Sequence, residues 1–469
     1  MIAAPKRRAP GPQLLAQLQG LFGDRLSTSG AVCLQHGRDE SSYAPCPPDA
    51  VVFAESTEEV AHLVRLCAEH EVPVIAFGMG SSIEGHVLAV EGGICLDMSR
   101  MHRVLAIRPD DLTATAQAGL TREDLNRELA VTGFFFSVDP GANATLGGMV
   151  ATAASGTNTV RYGTMRDNVV SLTVVTADGE VVRTASRARK SSAGYNLTQL
   201  LCGSEGTLGI VTEVTVRLHP RPESIVAAVV NFPDVNAAVA CVIEAIQMGV
   251  PLARAEMLDA LTIQAINAHS KTALTVAPTV FFEFGGMQAQ VQQQIDLLQT
   301  MATSRGAGQF QWALKPEERT RLWTPRHLAY FACLQLRPGC RSLTTDVCVP
   351  ISSLAACIAE TADDVAQAGL MAPIFGHVGD GNFHCLLLID PTLPDEMRRA
   401  EELSERLVRR AIRLEGTCTG EHGVGLHKKA YLHEEHGLAG VALMEKIKRA
   451  LDPKNILNPG KVVSLNARL

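Results

Sequence analysis

The sequence predicts an α+β protein with two domains. Its 469 residues exceed the roughly 100–200 residues of an ordinary domain, so a single small core is excluded. Amphipathic helical patterns and β-branched strand patterns are mixed along the whole chain. Residues 219–223 (HPRPE) interrupt these patterns with two prolines and mark a boundary between two halves.

The composition excludes several classes of protein. Hydrophobic residues make up 46% of the chain and charged residues 19%, which excludes a disordered chain. The net charge of −7, with no basic block and 4% aromatic residues, argues against a nucleic-acid-binding protein. No apolar run reaches the roughly 18–20 residues of a membrane span. The twelve cysteines include no C-x-x-C pair, so iron–sulfur and cysteine-based zinc sites are not predicted.

The first twenty residues are basic but contain no apolar stretch of signal-peptide length. We interpret them as a short lead-in, with a shortened organelle transit peptide as the alternative. The sequence therefore predicts a cytoplasmic protein, with a peripheral position at the inner membrane as an option, or a mitochondrial protein if the source is eukaryotic.

In the first half, the clearest helix is predicted over 56–71, where Ser56 and Glu59 form a capping-box pair. A second capped helix is predicted to begin at Thr121. Residues 169–184 are predicted to form a hairpin around Asp178-Gly179. Further strands are predicted at 72–77, 93–97 and 112–116.

The second half also mixes helices and strands. The helices are predicted at 235–248, 287–304, 350–369 and 393–415, and the strands at 225–231, 279–284 and 341–349. A last helix at 440–451 and the segment 452–460 (DPKNILNPG) are predicted to return to the first domain. The predicted organisation is a lead-in and first helix at 1–44, a first domain at 45–220, a second domain at 221–425 and a segment at 426–469 that returns to the first domain.

Three segments rich in glycine and other small residues lie in the first half, at 78–85 (GMGSSIEG), 140–156 and 203–212. The first follows a strand, as a Rossmann dinucleotide site would, but Ile83 stands where the third glycine is needed and Gly85 would interrupt the helix. A phosphate-binding loop and an ordinary turn are the remaining interpretations. Together the three segments favour a large phosphate-bearing cofactor, because small residues allow its close approach to the backbone.

Six segments resemble one flavoprotein family: GMGSSIEG, DPGANATLGG, GYNLTQLLCGSEGTLGIVTE, FGHVGDGNFH, TGEHGVGLHK and DPKNILNPGK. The first half is similar to the FAD-binding domain of the vanillyl-alcohol oxidase type. The second half is similar to its D-2-hydroxyacid dehydrogenase branch, with the cytochrome-linked D-lactate dehydrogenases as the nearest group. The resemblance covers residues 45–465 and implies a two-domain FAD-binding fold of the vanillyl-alcohol oxidase type with an α+β substrate (cap) domain.

The resemblance also implies which residues contact FAD. They are Gly78, Met79, Gly80, Ser81 and Ser82 at the diphosphate, Pro140, Gly141, Thr145, Gly148, Thr152, Ser155 and Gly156 along the diphosphate and flavin ring, Glu205, Gly209 and Ile210 near the adenosine half, and Asn458 near the ring. Family members that bind FAD covalently often carry a histidine in the first loop. This loop has Met79, Ser81 and Ser82, so noncovalent FAD is expected.

A metal site is predicted from a hairpin over 373–389, where Asp380-Gly381 is a strong two-residue turn signal. That turn would pair His377 directly with His384, with Cβ atoms about 4.5–5.5 Å apart. Two imidazoles so close can share one divalent metal ion; the alternative is a polar pair on a solvated hairpin face. Glu421, in the glycine-rich run 419–425, is the best candidate for a third ligand. Such N/O ligands suit zinc or manganese better than magnesium or calcium.

Two further residues are candidates for catalysis. His422 can act as a general base near neutral pH, and the alternative is a structural loop histidine. The resemblance implies that Arg326 binds the substrate carboxylate, to which a planar guanidinium is suited; from the residues alone it could equally be a surface arginine. Members that oxidise D-2-hydroxyglutarate have a threonine and a lysine where this chain has Tyr330 and Thr344, so a monocarboxylate substrate is expected.

The motifs together predict FAD-dependent oxidation of a small D-2-hydroxy acid, with D-lactate to pyruvate as the first choice, by metal-assisted proton abstraction and hydride transfer to the flavin. Electrons would pass to a separate acceptor, a cytochrome or other protein or a quinone. The alternatives are an FAD subunit of a glycolate-oxidase-like complex, a D-2-hydroxyglutarate dehydrogenase and a nonenzymatic metal or nucleotide binder. Nucleic acid is not an expected partner, and a homodimer is an open option.

Overall fold

The structure is a computed structural model of the chain and describes residues 7–465. These residues divide into two compact units, the first made of 7–155, 163–221 and 421–465 and the second of 156–162 and 222–420. The division differs from the sequence-based boundaries at three places, since 221 and 421–425 lie in the first unit and 156–162 lie in the second. Residues 1–6 of the predicted lead-in and residues 466–469 of the predicted returning segment lie outside the described residues.

Residues 7–465 form nineteen strands, numbered in chain order. They are β1 Leu26–Ser27, β2 Ala50–Phe53, β3 Val74–Phe77, β4 Ile94–Asp97, β5 Val104–Arg108, β6 Thr113–Gln117, β7 Phe134–Phe135, β8 Val169–Val175, β9 Val181–Arg183, β10 Ile210–Arg217, β11 His219–Pro220, β12 Ser224–Asn231, β13 Leu252–Leu258, β14 Thr279–Gly286, β15 Phe310–Ala313, β16 Arg341–Thr344, β17 Val347–Cys348, β18 Ile374–Gly376 and β19 Asn382–Ile389.

The same part of the chain forms sixteen α-helices. They are α1 Pro12–Phe22, α2 Gly30–His36, α3 Thr57–Glu69, α4 Arg122–Glu128, α5 Leu146–Thr152, α6 Thr159–Tyr162, α7 Met165–Asn168, α8 Leu197–Leu201, α9 Val235–Gln247, α10 Ala260–Ser270, α11 Gln288–Ser304, α12 Pro316–His327, α13 Ala329–Leu334, α14 Ile351–Ala368, α15 Pro394–Arg413 and α16 Leu432–Leu451. Among these helices, none has an apolar stretch long enough to cross a bilayer.

The first unit contains two larger sheets. One has the strand order β1-β2-β4-β3, in which β2, β4 and β3 are parallel. The other is antiparallel with the order β5-β6-β10-β8-β9. The predicted hairpin at 169–184 is confirmed as β8 and β9, which pair from Val175 and Val181 outward.

Helix α3 begins where the sequence predicts, with its Val60, Leu63 and Val64 buried against the parallel sheet. The Ser56 hydroxyl accepts a hydrogen bond from the Glu59 N–H at 3.2 Å, so the N-cap is confirmed. The second half of the predicted capping box, a hydrogen bond from the Ser56 N–H to the Glu59 carboxylate, is wrong. The Glu59 carboxylate accepts instead from the Glu55 N–H and from Arg25, because a charged guanidinium outcompetes the Ser56 amide.

The C-terminal segment is held in the first unit by Asp452, which is fully buried. Its carboxylate accepts hydrogen bonds from the N–H groups of Ile456 and Leu457, at 3.0 and 2.8 Å, and from Lys448. The Asn458 N–H then donates to the Val74 carbonyl of β3 at 2.9 Å. The run DPKNILNPG therefore places Asn458 beside the first residue of β3, the strand that leads into the first glycine segment.

The second unit is built on an antiparallel sheet of eight strands, in the order β15-β12-β14-β13-β18-β19-β16 with β17 also paired to β19. Helices α9, α11, α14 and α15 lie where the sequence predicts them. The predicted strand at 341–349 is two strands, β16 and β17, separated by Thr345-Asp346. Strand β13 and helices α10, α12 and α13 are not among the sequence-predicted elements.

Candidate functional site

The three glycine segments of the first unit line one cavity of about 320 Å³. The sequence-predicted residues on its wall are Gly78, Met79, Gly80, Ser81, Ser82, Pro140, Gly141, Thr145, Gly148, Thr152, Ser155, Glu205 and Asn458. Gly209 and Ile210 line an adjoining smaller cavity that shares Gly78, Thr145 and Gly148 with the first. Gly156 belongs to the second unit and lines neither cavity. Glu421 and His422 also lie on the wall of the larger cavity.

The first glycine segment is a loop, and no helix follows strand β3 within residues 78–93. The expectation against a Rossmann site therefore agrees with the described backbone. Gly78 lies against Thr145, since a Cβ at Gly78 would come 2.3 Å from the Thr145 Oγ1. Gly80 has a φ of +65°, which favours glycine. A larger residue at Gly78 would push the loop off the second glycine segment and into the cavity.

The second segment enters helix α5 through Thr145. The Thr145 hydroxyl accepts a hydrogen bond from the Gly148 N–H at 3.3 Å and so acts as the N-cap. Gly147 packs on Ala118, where a Cβ would come 2.8 Å from the Ala118 side chain. Gly147 thus allows close packing of the helix on Ala118, and Gly148 lines the cavity on its other side.

Glu205 in the third segment is nearly fully buried, and its carboxylate is engaged by protein groups. It accepts hydrogen bonds from the N–H groups of Val424 and Gly425, at 2.7 and 2.9 Å, and lies 3.2 Å from the His86 Nε2. Burial alone would raise the pKa of Glu205, but His86 and these donors outweigh it and hold the pKa below its ordinary value. Glu205 thus binds the loop that carries Glu421 and His422.

Glu421 and His422 are positioned at the cavity by this loop. The Ser155 hydroxyl donates to the Glu421 Oε2 at 3.2 Å, and the His422 Nε2 lies 3.5 Å from the Glu421 Oε1. A Cβ at Gly423 would come 2.8 Å from the Glu205 Oε1, so glycine is required for the loop to approach Glu205. The run GEHGVG is therefore glycine-rich because it is pressed onto a buried carboxylate.

In the second unit, the hairpin that carries His377 and His384 forms, but the predicted register is wrong by two residues. Phe375 pairs with His384, and the connection is longer than the two-residue turn. The cause is packing on Val349: its N–H donates to the Gly381 carbonyl at 3.0 Å, and a Cβ at Gly381 would come 2.0 Å from the Val349 carbonyl oxygen. These contacts hold the loop open against its local preference.

The two histidines still meet, because a shift by an even number of residues keeps both side chains on the same face. Their ring centroids are 5.7 Å apart with the planes at 87°, and one ring nitrogen of each lies within 4.8 Å of the other ring's. Only 8% of His377 and 6% of His384 is exposed, so this face is not solvated. An oxygen of the buried Asp346 also lies within 4.8 Å of a His384 nitrogen, a candidate that the sequence analysis missed.

Each histidine is oriented through its Nδ1. The His384 Nδ1 lies 3.0 Å from the Thr345 carbonyl oxygen, and the His377 Nδ1 lies 2.6 Å from the Glu256 Oε1. With Nδ1–H as the donor, Nε2 carries the lone pair in both rings. This hydrogen-bonding pattern is the usual one around metal-binding histidines.

Arg326 lies on α12 and pairs with the same buried carboxylate. Its Nη2 and Nε donate to the Glu256 Oε2 at 2.6 and 3.1 Å, and the guanidinium stacks over Phe375 at 5.5 Å. Burial alone would raise the pKa of Glu256, but His377 and Arg326 outweigh it and hold the pKa below its ordinary value. Arg326 is therefore not a solvated surface arginine, and Glu256 is a site residue that the sequence analysis missed.

Tyr330 and Thr344 bring no positive charge. The Tyr330 hydroxyl forms a hydrogen bond with Ser342 at 2.9 Å, and Thr344 lies in β16 opposite Leu386. The nearby Arg337 is bonded to both carboxylate oxygens of Glu396, at 2.7 and 3.1 Å.

Comparison with known proteins identifies the family. The family described as "FAD binding domain" matches residues 48–185, and "FAD linked oxidases, C-terminal domain" matches residues 221–462. A Danio rerio protein named "Probable D-lactate dehydrogenase, mitochondrial" is 48% identical over 97% of this chain and 92% of its own length. The mitochondrial D-lactate dehydrogenase (cytochrome) of Arabidopsis thaliana is 44% identical over 96% of this chain and 80% of its own length.

Among solved structures, p-cresol methylhydroxylase with substrate bound has a TM-score of 0.78 at 19% identity, covering 99% of this chain and all of that one. This likeness concerns the fold alone, and it confirms the predicted two-domain fold of the vanillyl-alcohol oxidase type. The chain belongs to the family of FAD-linked oxidases.

Proposed function

We propose that this chain is an FAD-dependent dehydrogenase that oxidises a small D-2-hydroxy acid, with D-lactate to pyruvate as the reaction. The observation that carries the proposal is that Glu421 and His422 lie on the wall of the cavity lined by the three glycine segments. A candidate metal ligand and a candidate general base therefore lie on the wall of the cavity that we assign to FAD. The two relatives named as D-lactate dehydrogenases support the choice of substrate.

The cavity fits FAD. Its wall is largely backbone and small side chains, and it includes Gly78, Gly80, Gly141 and Gly148. Backbone N–H groups at such positions are suited to a diphosphate. The residues that would hold FAD are the sequence-predicted set on the cavity wall. The first loop presents Met79, Ser81 and Ser82, whose side chains do not form flavin linkages, so FAD is bound noncovalently.

Acid precipitation of the purified protein is therefore expected to release all of the yellow chromophore into the supernatant. The reason is that only hydrogen bonds and packing hold the cofactor, and both are lost on unfolding. The absorbance of the supernatant and of the redissolved pellet measures the result. Flavin that stays with the washed pellet would contradict noncovalent binding.

The His377 and His384 pair fits a divalent metal ion, zinc or manganese. Two imidazoles with Nε2 lone pairs, each oriented through Nδ1, are the donors that such ions prefer. Glu421 is the third ligand that the sequence predicts, and we retain it as part of the proposal. Two histidines and one carboxylate leave coordination positions for the substrate.

The side chains then divide the work. When bound, FAD accepts the electrons and hydrogen of the oxidation, and the divalent ion acts as a Lewis acid that lowers the pKa of the substrate hydroxyl. Arg326 binds the substrate carboxylate and fixes its orientation. His422 accepts the hydroxyl proton as a neutral imidazole, which near neutral pH is a suitable base.

Electrons leave through a separate acceptor, a cytochrome or other protein or a quinone, because the cysteines provide no iron–sulfur ligand set. All twelve are free thiols, and most are buried. The Danio rerio and Arabidopsis thaliana relatives are both named as mitochondrial. For this chain we propose a mitochondrial location if the source is eukaryotic and a cytoplasmic one otherwise.

The test is the absorbance spectrum of the purified chain before and after anaerobic addition of D-lactate or L-lactate. D-lactate is expected to bleach the flavin and L-lactate to leave it oxidised. With an artificial dye the chain alone should turn over, which an FAD subunit dependent on a larger complex would not do. NAD⁺ should not be reduced at a comparable rate. A spectrum unchanged by D-lactate would reject the proposed function.

Substrate length gives a further prediction. D-lactate is expected to exceed D-2-hydroxyglutarate in kcat/KM by about 100-fold or more. Neither Tyr330 nor Thr344 is cationic and Arg337 is bound to Glu396, so a second carboxylate would be buried without a partner at a cost of several kcal/mol, and each 1.4 kcal/mol is about tenfold in rate. Steady-state rates with the two acids measure the ratio. Equal efficiencies would mean that another cation, such as the exposed Arg341, reaches the site.

A further inference from the structure

We propose that Glu256 is a positioning residue that orients the metal-binding His377 and the substrate-binding Arg326 through one buried carboxylate. The inference rests on the proposed function, because that function assigns the tasks of His377 and Arg326. Glu256 itself touches neither substrate nor cofactor in this scheme. Its role is to couple the position of the metal ion to the position of the substrate carboxylate.

The two oxygens of the carboxylate are divided between the two partners. Oε1 lies 2.6 Å from the His377 Nδ1, and Oε2 accepts from the Arg326 Nη2 and Nε at 2.6 and 3.1 Å. A rigid, planar carboxylate therefore fixes the direction of both partners at once. Rotation of either side chain would break a charge-assisted hydrogen bond.

The backbone under Glu256 leaves the side chain little freedom. Strand β13 lies inside the sheet, with Glu256 opposite Phe281 of β14 on one side. On the other side Met257 pairs with Gly376 and Leu258 with Phe375, so the same register brings Glu256 beside His377. The side chain of Glu256 is 0% exposed. Such a support is precise because it stands on a central strand rather than on a loop.

Glu256 fixes the tautomer of His377 and the orientation of the Arg326 guanidinium. Donation from Nδ1–H to a carboxylate selects the His377 tautomer with its lone pair on Nε2 and increases the basicity of that nitrogen. Arg326 uses its Nε and Nη2 edge on Glu256, so the Nη1 end of the planar fork points away from Glu256 and is available to a second carboxylate. His384 lacks this coupling, since its Nδ1 acceptor is the Thr345 carbonyl.

The experiment compares Glu256→Gln with the wild-type holoprotein. A glutamine keeps the shape but presents an NH₂ group to one of two donors, so at least one contact is lost. We expect the affinity for Zn²⁺ or Mn²⁺, measured by titration of the metal-stripped protein, to fall about 10–100-fold. We also expect the KM for D-lactate to rise at least about tenfold, while the FAD content stays at the wild-type level.

Asp259→Asn is the matched control. Asp259 follows the same strand, and its carboxylate accepts from the Thr262 N–H at 2.7 Å as the N-cap of α10, without contact to Arg326 or His377. Asparagine is an equally good N-cap, so metal affinity and KM should stay at wild-type values. If Glu256→Gln does not fold, Glu256→Asp keeps the charge but is too short to span both partners, and it should show the same two losses.

The outcomes separate the two proposals. A wild-type protein that binds no metal and does not oxidise D-lactate rejects the proposed function. A wild-type protein that does both, together with folded Glu256 variants of unchanged metal affinity and KM, rejects only the positioning role. Loss of stability or FAD in a variant without a change in metal affinity or KM would show Glu256 to be structural and would also overturn the inference.

Discussion

Replacing His422 with alanine is expected to slow the reduction of the flavin by D-lactate about 10²–10⁴-fold, the usual effect of losing a general base. The metal content and the FAD content should not change, because His422 is not in the proposed ligand set. The KM for D-lactate should also stay near the wild-type value, since in the proposed mechanism Arg326 binds the substrate carboxylate. Stopped-flow measurement of flavin absorbance under anaerobic conditions gives the reduction rate directly.

This variant keeps two backbone contacts that hold the loop in place. The carboxylate of Glu205 accepts from the N–H groups of Val424 and Gly425, and these bonds remain when His422 is shortened. His433→Ala is the control, since His433 lies exposed at the start of α16. A reduction rate within about threefold of the wild-type and control rates would mean that His422 is a structural loop histidine.

The first unit shows how far glycine patterns predict a site. Three separate runs of small residues are easy to find in the sequence, and they line one cavity. Each run lies next to the end of a strand or the start of a capped helix. Their side-chain partners were harder to predict. The Glu205 carboxylate accepts hydrogen bonds from the N–H groups of Val424 and Gly425, residues more than two hundred positions away in the chain. No local pattern reports a contact of that separation.

The hairpin shows the reverse case, in which a local signal was strong but incomplete. Asp380-Gly381 predicts a two-residue turn, and the turn widened because Gly381 packs on the backbone of Val349. The prediction that the two histidines meet survived because the error was an even number of residues. A slip of one residue would have put His384 on the opposite face from His377.

Glu256 was missed for a physical reason. It lies in β13, whose sequence LARAEML contains residues that favour helices, so no strand was predicted there. The one signal was the alternation of Arg254 and Glu256 with apolar residues, which places both charged side chains on one face. Burial of such a carboxylate is stable only with charged partners, and those partners, Arg326 and His377, come from distant parts of the sequence.

Loss of either of the two histidines that we propose as metal ligands is expected to remove the ion and the activity together. In His377→Ala and in His384→Ala, the affinity for Zn²⁺ or Mn²⁺ should fall by more than the roughly 10–100-fold typical of losing a hydrogen-bond partner behind a ligand. Turnover of D-lactate should fall to the background rate. A strong chelator should have the same effect on the wild-type protein and leave the flavin spectrum in place, since none of the three proposed metal ligands belongs to the glycine segments that would hold FAD.

The two variants should differ in stability, although their loss of metal is alike. Removing His377 leaves the Glu256 Oε1 without the donor that lies 2.6 Å from it, and an unsatisfied buried group costs about 1–3 kcal/mol, more when it is charged. The Nδ1 partner that His384 leaves behind is the neutral carbonyl oxygen of Thr345, at 3.0 Å. Thermal unfolding of the metal-free proteins should therefore give a lower Tm for His377→Ala than for His384→Ala.

His269→Ala, on α10 of the same unit, serves as the control with an unchanged metal content. Metal analysis and steady-state rates on the three variants show whether His377 and His384 bind the metal ion or are structural, because opposite results are expected in the two cases. A structural pair would lower the Tm of both variants and leave wild-type activity in the folded fraction. If His377→Ala and His384→Ala remain active without bound metal, the hairpin histidines are structural, and proton removal from the substrate must proceed without a Lewis acid.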